Sequence, residues 1–251
     1  MTLALVTGGT KRLGAAIALR LARAGHDLAL HCHNVCALDG DLEAALSAGG
    51  ANWSIFSADL ANPADIDGLV PAVCKHFGRP PDVLINGASR FGEDRWEDVT
   101  LASLVDHFAV NAAAPARLAQ QFAAALPADA LGVVVNILDQ RIASPPNDQA
   151  GYTASKQALA GITQALARAL APRIRVSAVA PGLTLPTADY SADQMERLAA
   201  LMPLARLPTP ENVADAVAYL VEAEATTGQV IFVDGGASMR TFDRDFVNLA
   251  R

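Results

Sequence analysis

Leu3-Ala4-Leu5-Val6-Thr7-Gly8-Gly9-Thr10-Lys11-Arg12-Leu13-Gly14 runs from an apolar stretch through a glycine bend into a segment with apolar residues at helical spacing. The apolar run reads as a buried strand. Glycines at the bend let backbone amides approach a pyrophosphate, and the amino end of the helix that follows adds partial positive charge. Strand, glycine turn and helix in this order are the context a dinucleotide-binding turn requires.

The same alternation continues along the chain. Apolar segments at 3–7, 27–32, 52–57, 83–86, 133–138, 175–179 and 230–233 predict seven strands of one parallel sheet. Between them, 13–24, 38–48, 63–77, 101–126, 152–170 and 211–221 repeat apolar residues every three or four positions and predict helices. The expected fold is therefore α/β, a doubly wound Rossmann sheet, with residues 1–251 in one domain because no repeat or Pro/Ser linker interrupts the pattern. Two stretches break the alternation: 141–151, with Pro145 and Pro146, and 183–210, with a short helical piece at 194–201. Both follow strands at their carboxyl ends, where open α/β sheets bind ligands, so each reads as a binding loop or as plain surface.

Composition narrows the partners. The 251 residues are 52% hydrophobic, enough for a sizeable core. A net charge of -7, with no basic cluster beyond Lys11-Arg12, offers no track for nucleic acid or an anionic membrane. The start of the chain lacks a basic leader region and no apolar run approaches ~20 residues, so the expected location is cytoplasmic. Cys32, Cys36 and Cys74 form an odd set without a disulfide framework, which suits a reducing compartment. His31, Cys32, His33 and Cys36 crowd the end of a strand whose side chains alternate in direction, so they do not converge on one ion and no metal is expected.

Cofactor preference is read at the end of the second strand. An NAD enzyme places a carboxylate about 20 residues past the glycine turn to bind ribose hydroxyls. This chain offers His31, Cys32, His33 and Asn34 instead, with Lys11 nearby, so nothing repels a 2′-phosphate and NADPH is expected. Asp59-Leu60 follows the third strand, placed to bind an adenine amino group or, equally, to cap a helix. Asn86-Gly87-Ala88 follows the fourth strand, where the chain passes beside the cofactor.

Tyr152 and Lys156 stand four apart and share a helix face, with Asp139 thirteen residues before Tyr152. An ionised carboxylate beside a carbonyl oxygen that gains negative charge would repel it. A ring bearing N–H and amino donors, such as a pterin, suits that carboxylate better.

Over nearly its whole length the chain resembles the short-chain dehydrogenase/reductase family, and within it the pteridine reductases and dihydromonapterin reductases. The residues carrying the resemblance are Thr-Gly-Gly-Thr-Lys11-Arg12-Leu13-Gly, His31-Cys-His33, Asn86-Gly-Ala-Ser89-Arg-Phe91, Asp139 with Tyr152 and Lys156, and Pro181-Gly182-Leu183-Thr184. The resemblance implies a catalytic set of Asp139, Tyr152, Lys156 and Asn111. It implies cofactor contacts from Gly8, Lys11, Arg12, Leu13, His31, His33, Asn34, Asp59, Leu60, Asn86, Gly87, Ala88, Tyr152, Lys156, Pro181, Gly182 and Thr184. Substrate contacts are implied for Arg12, Ser89, Phe91, Asp139, Tyr152 and Leu183, with Phe91 stacking on the pterin.

By the same resemblance, Lys156 holds the nicotinamide ribose and lowers the Tyr152 pKa from about 10 by roughly 1 to 3. Asn111 holds a water linking Lys156 to solvent. The implied reaction is NADPH-dependent reduction of a C=N bond of a pterin or dihydropterin, with folate overlap, in a homotetramer built on helices 101–126 and 152–170. The chain departs from the pattern at three places. Arg12 replaces the second Gly of the Thr-Gly-x-x-x-Gly-x-Gly turn, Gly87 replaces an Asn that braces the central strands, and Asn34-Val35 replaces an Arg-Ser contact to the 2′-phosphate. Two other readings are a carbonyl or 3-oxoacyl reductase with the same fold, and a silent dinucleotide-binding sensor. Residues 90–95 read as a solvated charged rim, and the tail 241–251 either frays or docks on a neighbouring subunit.

Overall fold

β1 (Leu3–Thr7) is buried along its whole length. The computed structural model describes residues 2–34, 36–186 and 190–249. Ala4 and Val6 enter one apolar core while Leu3 and Leu5 enter the other, so β1 reads as an unbroken apolar run rather than as alternation. Beside it lie β2 (Asp27–Cys32), β3 (Trp53–Ser57), β4 (Val83–Asn86), β5 (Gly132–Ile137), β6 (Ile174–Pro181) and β7 (Val230–Val233). All pairings are parallel and the order is β3-β2-β1-β4-β5-β6-β7. The winding reverses between β1 and β4, which opens a crevice at the carboxyl ends of those strands.

The helices are α1 (Arg12–Arg23), α2 (Gly40–Ser47), α3 (Pro63–Phe77), α4 (Leu101–Phe108), α5 (Ala114–Ala125), α6 (Ala150–Leu170), α7 (Ala192–Leu201), α8 (Pro210–Glu222) and a last turn, α9 (Phe246–Leu249). Residues of α1, α2 and α8 fill the core on one face of the sheet, and α3 and α5 fill it on the other, around the fully buried Phe122. Arg173 and Arg175, at the start of β6, donate to the last carbonyls of α5 and α8, which lack partners within their own helices.

One predicted helix is two. The segment 101–126 forms α4, a π turn at Ala109–Ala113, and α5. Pro115 has no N–H for the carbonyl four residues back, and the Ala114 N–H reaches Ala109 O instead, which widens the turn around Asn111. β6 also runs past its expected end, because Ala180 and Pro181 pair with Phe232 and Val233 of β7.

Three other expectations are corrected. Cys32 and Cys36 are bonded as a disulfide, with their Cα atoms 5.5 Å apart, and Cys74 is free. Within 90–95, Arg90, Glu93 and Arg95 are exposed as a solvated rim should be, Arg90 in a surface pair with Asp106, but Asp94 turns inward and its Oδ1 accepts the Gly151 N–H at 3.1 Å in the first turn of α6. The tail folds onto its own chain, with Phe246 buried against Leu198, Met202 and Ala237. The Asp245 N–H donates to Asp148 Oδ1 at 2.8 Å, and the Asn147 N–H to Asp243 O at 3.0 Å. Residues 250 and 251 of the tail lie outside the described residues.

No helix among the described residues is long and apolar enough to cross a membrane. A groove of about 570 Å³, lined in part by Asp129, Leu131, Leu170 and Arg173, lies near the amino ends of β5 and β6 and holds none of the candidate residues. On α4, Leu101, Val105 and Phe108 form an exposed apolar stripe.

Candidate active site

The glycine turn is shaped by close backbone approach. Gly8 is left-handed at φ 66°, and a Cβ there would stand 3.0 Å from Ala88 Cα. A Cβ on Gly14 would stand 2.0 Å from Gly8 O, so only glycine lets α1 start against the turn. Arg12 keeps the left-handed backbone at φ 53° that a glycine would adopt more easily, and its side chain is exposed beside that of Lys11. No side chain caps α1, which leaves the helix amino end facing the turn.

His31 supports this turn from beneath. Its Nδ1 accepts the Gly8 N–H at 3.1 Å and its Nε2 donates to Ala58 O at 3.0 Å, which fixes the neutral tautomer. Burial holds its pKa below the ordinary 6.5, with the His33 charge adding to that effect and the Ala58 bond opposing it. With both ring nitrogens used inside the chain, His31 positions the turn rather than touching a ligand, a correction to its expected contact role. An unfolded chain takes up this proton near 6.5, whereas the folded chain resists it to lower pH, so His31 contributes full stability above that value and less below it. Thermal melts should show Tm falling from pH 7.5 to 5.5 by a margin that shrinks in a His31→Gln chain, because Gln keeps an acceptor and a donor without titrating. An equal fall in both chains would remove His31 from the account.

His33 and Asn34 are exposed at the same strand end, and His33 Nε2 lies 3.6 Å from Asp59 Oδ1. Val35 lies outside the described residues. Asp59 Oδ1 accepts the Ala61 N–H, and Asn62 rather than Asp59 caps α3. Leu60 is buried, while Leu13 is half-buried at the turn.

After β4, Thr7 Oγ1 accepts the N–H groups of Gly87 and Ala88 at 3.0 and 3.1 Å. A Cβ on Gly87 would press Thr7 O at 2.9 Å. The central strands are braced one residue earlier, where Asn86 donates to Asn136 and Asn136 to Thr163. Asn111 Oδ1 accepts from Ser89 Oγ and the Arg90 N–H, and its Nδ2 donates to Arg90 O and Ser155 Oγ. Asn111 thus ties the loop after β4 to α6, and Lys156 is not among these partners. Pro181 ends β6, Gly182 donates to Val233 O, and Leu183 and Thr184 follow half-buried.

At the centre, Tyr152 Oη donates to Asp139 Oδ2 at 3.0 Å, and Lys156 Nζ donates to Ile137 O at 2.8 Å. The Phe91 ring is 53% exposed and meets the Tyr152 ring edge-on at 4.9 Å between centroids. It therefore offers a free face at the mouth of the site. Arg141, which no motif marks, also stands here. Its Nε and backbone N–H both donate to Asp139 Oδ1 at 3.0 Å, its guanidinium lies 4.7 Å over the Tyr152 ring, and it is 5% exposed.

Burial, and then the Asp139 carboxylate, push the Tyr152 phenol well above its ordinary 10, while the Arg141 charge and the Ser89 bond pull the other way. The phenol is protonated at neutral pH, contrary to the expected lowering. Lys156 does not reverse this, because burial lowers its own pKa to about 8 against the pull of Asp139, with Arg141 adding to the lowering. Its positive charge fades as pH rises through that value. Arg141 is desolvated, yet the Asp139 and Asp245 carboxylates raise its pKa and keep it cationic.

A glycine turn after β1, a Tyr and Lys on one helix and an acid beside them after β5 all lie at the carboxyl ends of the parallel strands. Residues 9–238 match a family model described as enoyl-(acyl carrier protein) reductase. The chain belongs to the short-chain dehydrogenase/reductase family. Among solved short-chain reductases, the FolM alternative dihydrofolate reductase 1 of Brucella suis, in complex with NADP, is 39% identical over 95% of this chain and 96% of that one, with a TM-score of 0.86. Pteridine reductase 1 of Leishmania tarentolae is 35% identical, with 94% of this chain and 96% of that protein covered. A ketoacyl reductase of the granaticin polyketide synthase from Streptomyces violaceoruber is 32% identical, over 94% of this chain and 96% of that protein.

Proposed function

We propose that this short-chain reductase uses NADPH to reduce a C=N bond of a dihydropterin or pterin, including dihydrofolate. The 3.0 Å pairing of Tyr152 with Asp139 carries the reading. It sets a protonated phenol beside a carboxylate, where a ketone-reducing site would set a second neutral donor. A pterin edge presents N–H and amino donors to Asp139 Oδ2 and a ring nitrogen to the Tyr152 phenol. The exposed face of Phe91 suits a flat ring, and the Brucella suis and Leishmania tarentolae relatives carry names of this substrate class.

The cofactor fits the residues present. The Gly8 and Gly14 cradle has no room for side chains, and the uncapped start of α1 offers its amides to a pyrophosphate. Lys11 and Arg12 are exposed beside it, and the end of β2 carries His33 and Asn34 where a carboxylate would disfavour a 2′-phosphate. When bound, NADPH supplies the hydride. Lys156 orients the ribose hydroxyls, Tyr152 delivers the proton to the ring nitrogen, and Asp139 holds the ring by accepting its donors and assists the proton transfer.

A second reading, 3-oxoacyl reduction, is favoured by the granaticin relative. Purified chain should oxidise NADPH far faster with dihydrobiopterin or dihydrofolate than with an oxoacyl thioester, and should bind NADPH more tightly than NADH. Turnover of the thioester alone would overturn the substrate assignment, and tighter NADH binding would overturn the cofactor assignment.

A further inference from the structure

We propose that Arg141, clamped from the C-terminal segment by Asp245, is a positioning residue that turns the Asp139 carboxylate so that Oδ2 faces Tyr152 and the reacting ring. The inference rests on the pterin reading for what that oxygen does, and on geometry for how it is held. A carboxylate torsion is broad and roughly two-fold, so an unrestrained Asp139 would present either oxygen. Here the backbone N–H and the Nε of Arg141 both hold Oδ1, which leaves Oδ2 to the Tyr152 hydroxyl.

The guanidinium is itself fixed at every edge. One terminal nitrogen donates to Asp245 Oδ2 at 2.8 Å and the other to Gln149 Oε1, while its plane lies over the Tyr152 ring. Gln149 adopts a left-handed backbone at φ 54° just before α6, a conformation unusual for a side chain of its kind. Asp245 is 7% exposed, and its own N–H is anchored on Asp148. A buried guanidinium is costly unless its donors are matched, and the planar fork transmits the position of Asp245 to Asp139 in a way a lysine cannot. The C-terminal segment thereby completes the site.

The test uses the full chain with NADPH and dihydrobiopterin. Arg141→Met keeps length and removes the fork: kcat should fall about 30-fold, within the range a small misplacement of a reacting group produces, while the NADPH Kd changes less than twofold. Arg141→Lys, which keeps the charge without the fork, should stay at least tenfold below the parent, and Asp245→Asn should lower kcat about fivefold with the KM for NADPH unchanged. An Arg141→Met chain with kcat within threefold of the parent overturns the inference. So does loss of NADPH binding in parallel with kcat in all three variants, which marks a merely structural role. If the parent chain turns over only an oxoacyl thioester, the pterin reading fails, and the three variants are judged on that substrate by the same criteria.

Discussion

A Tyr152→Phe chain should reduce dihydrobiopterin on the order of 1000-fold more slowly than the parent, in the range spanned by loss of a positioned proton donor. The substitution removes one oxygen and keeps the ring. Tyr152 is 8% exposed, with Phe91 edge-on at one side and the Arg141 guanidinium above it, and Phe preserves both contacts. The lost bond, to Asp139 Oδ2, leaves a carboxylate that Arg141 still holds through Oδ1. The fold and the NADPH Kd should therefore stay close to those of the parent, and the loss should appear in kcat. Steady-state kinetics with a fluorescence titration of NADPH makes the comparison. A decrease of less than tenfold would mean that the proton reaches the ring nitrogen by another route and that the phenol has no catalytic part.

The raised pKa of Tyr152 bears on how that proton moves. A phenol that burial and a neighbouring carboxylate hold protonated is a poor acid until a substrate nitrogen accepts from it. Substrate donors on Asp139 Oδ2 would weaken the carboxylate's grip on the hydroxyl, and the Arg141 charge favours the phenolate left behind. A loosened Asp139 bond together with the Arg141 charge thus favours ionisation of the phenol once a ring with N–H groups is in place.

The sheet was legible because burial on both faces leaves unbroken apolar runs, and the glycine turn because Gly8 and Gly14 meet backbone at distances no side chain permits. Asp139, Tyr152 and Lys156 were legible because a short loop and one helix bring them together. Arg141 was not, since its partner Asp245 lies 104 residues away and a single buried ion pair has no periodic signature. Asp94 read as surface for the same reason: its role depends on the Gly151 N–H, 57 residues later. The pairing of Cys32 with Cys36 escaped because an odd number of cysteines argues only against a full framework, and a tight turn pairs two of them locally. His31 illustrates the same limit, since its bonds to the Gly8 N–H and to Ala58 O carry no mark in the sequence. The sequence shows a His at a strand terminus, and only the register of β2 against β1 turns its ring under Gly8 rather than outward.

Asp139→Ser should lower dihydrobiopterin turnover on the order of 100-fold, the loss expected when a group that holds the reacting ring and assists its proton donor is replaced by a smaller neutral one. The effect has two parts with opposite consequences for different substrates. Removing the carboxylate takes away the acceptor for ring N–H groups, which costs the pterin, and it leaves Arg141 with one fewer buried partner, which costs stability. Asp245 still pairs with Arg141, so a modest fall in Tm rather than loss of the fold is expected. The new hydroxyl, by contrast, is a donor to an oxygen that gains negative charge, and with the carboxylate gone nothing repels that oxygen. Turnover of a 3-oxoacyl thioester should therefore hold steady or rise in the variant while dihydrobiopterin turnover falls. Assaying both substrates on one preparation separates this crossing from damage, because a misfolded site loses both together. If dihydrobiopterin turnover in the Ser variant stays within threefold of the parent, the acid at 139 does not select the substrate, and the specificity must come from Phe91 and the loops that frame it.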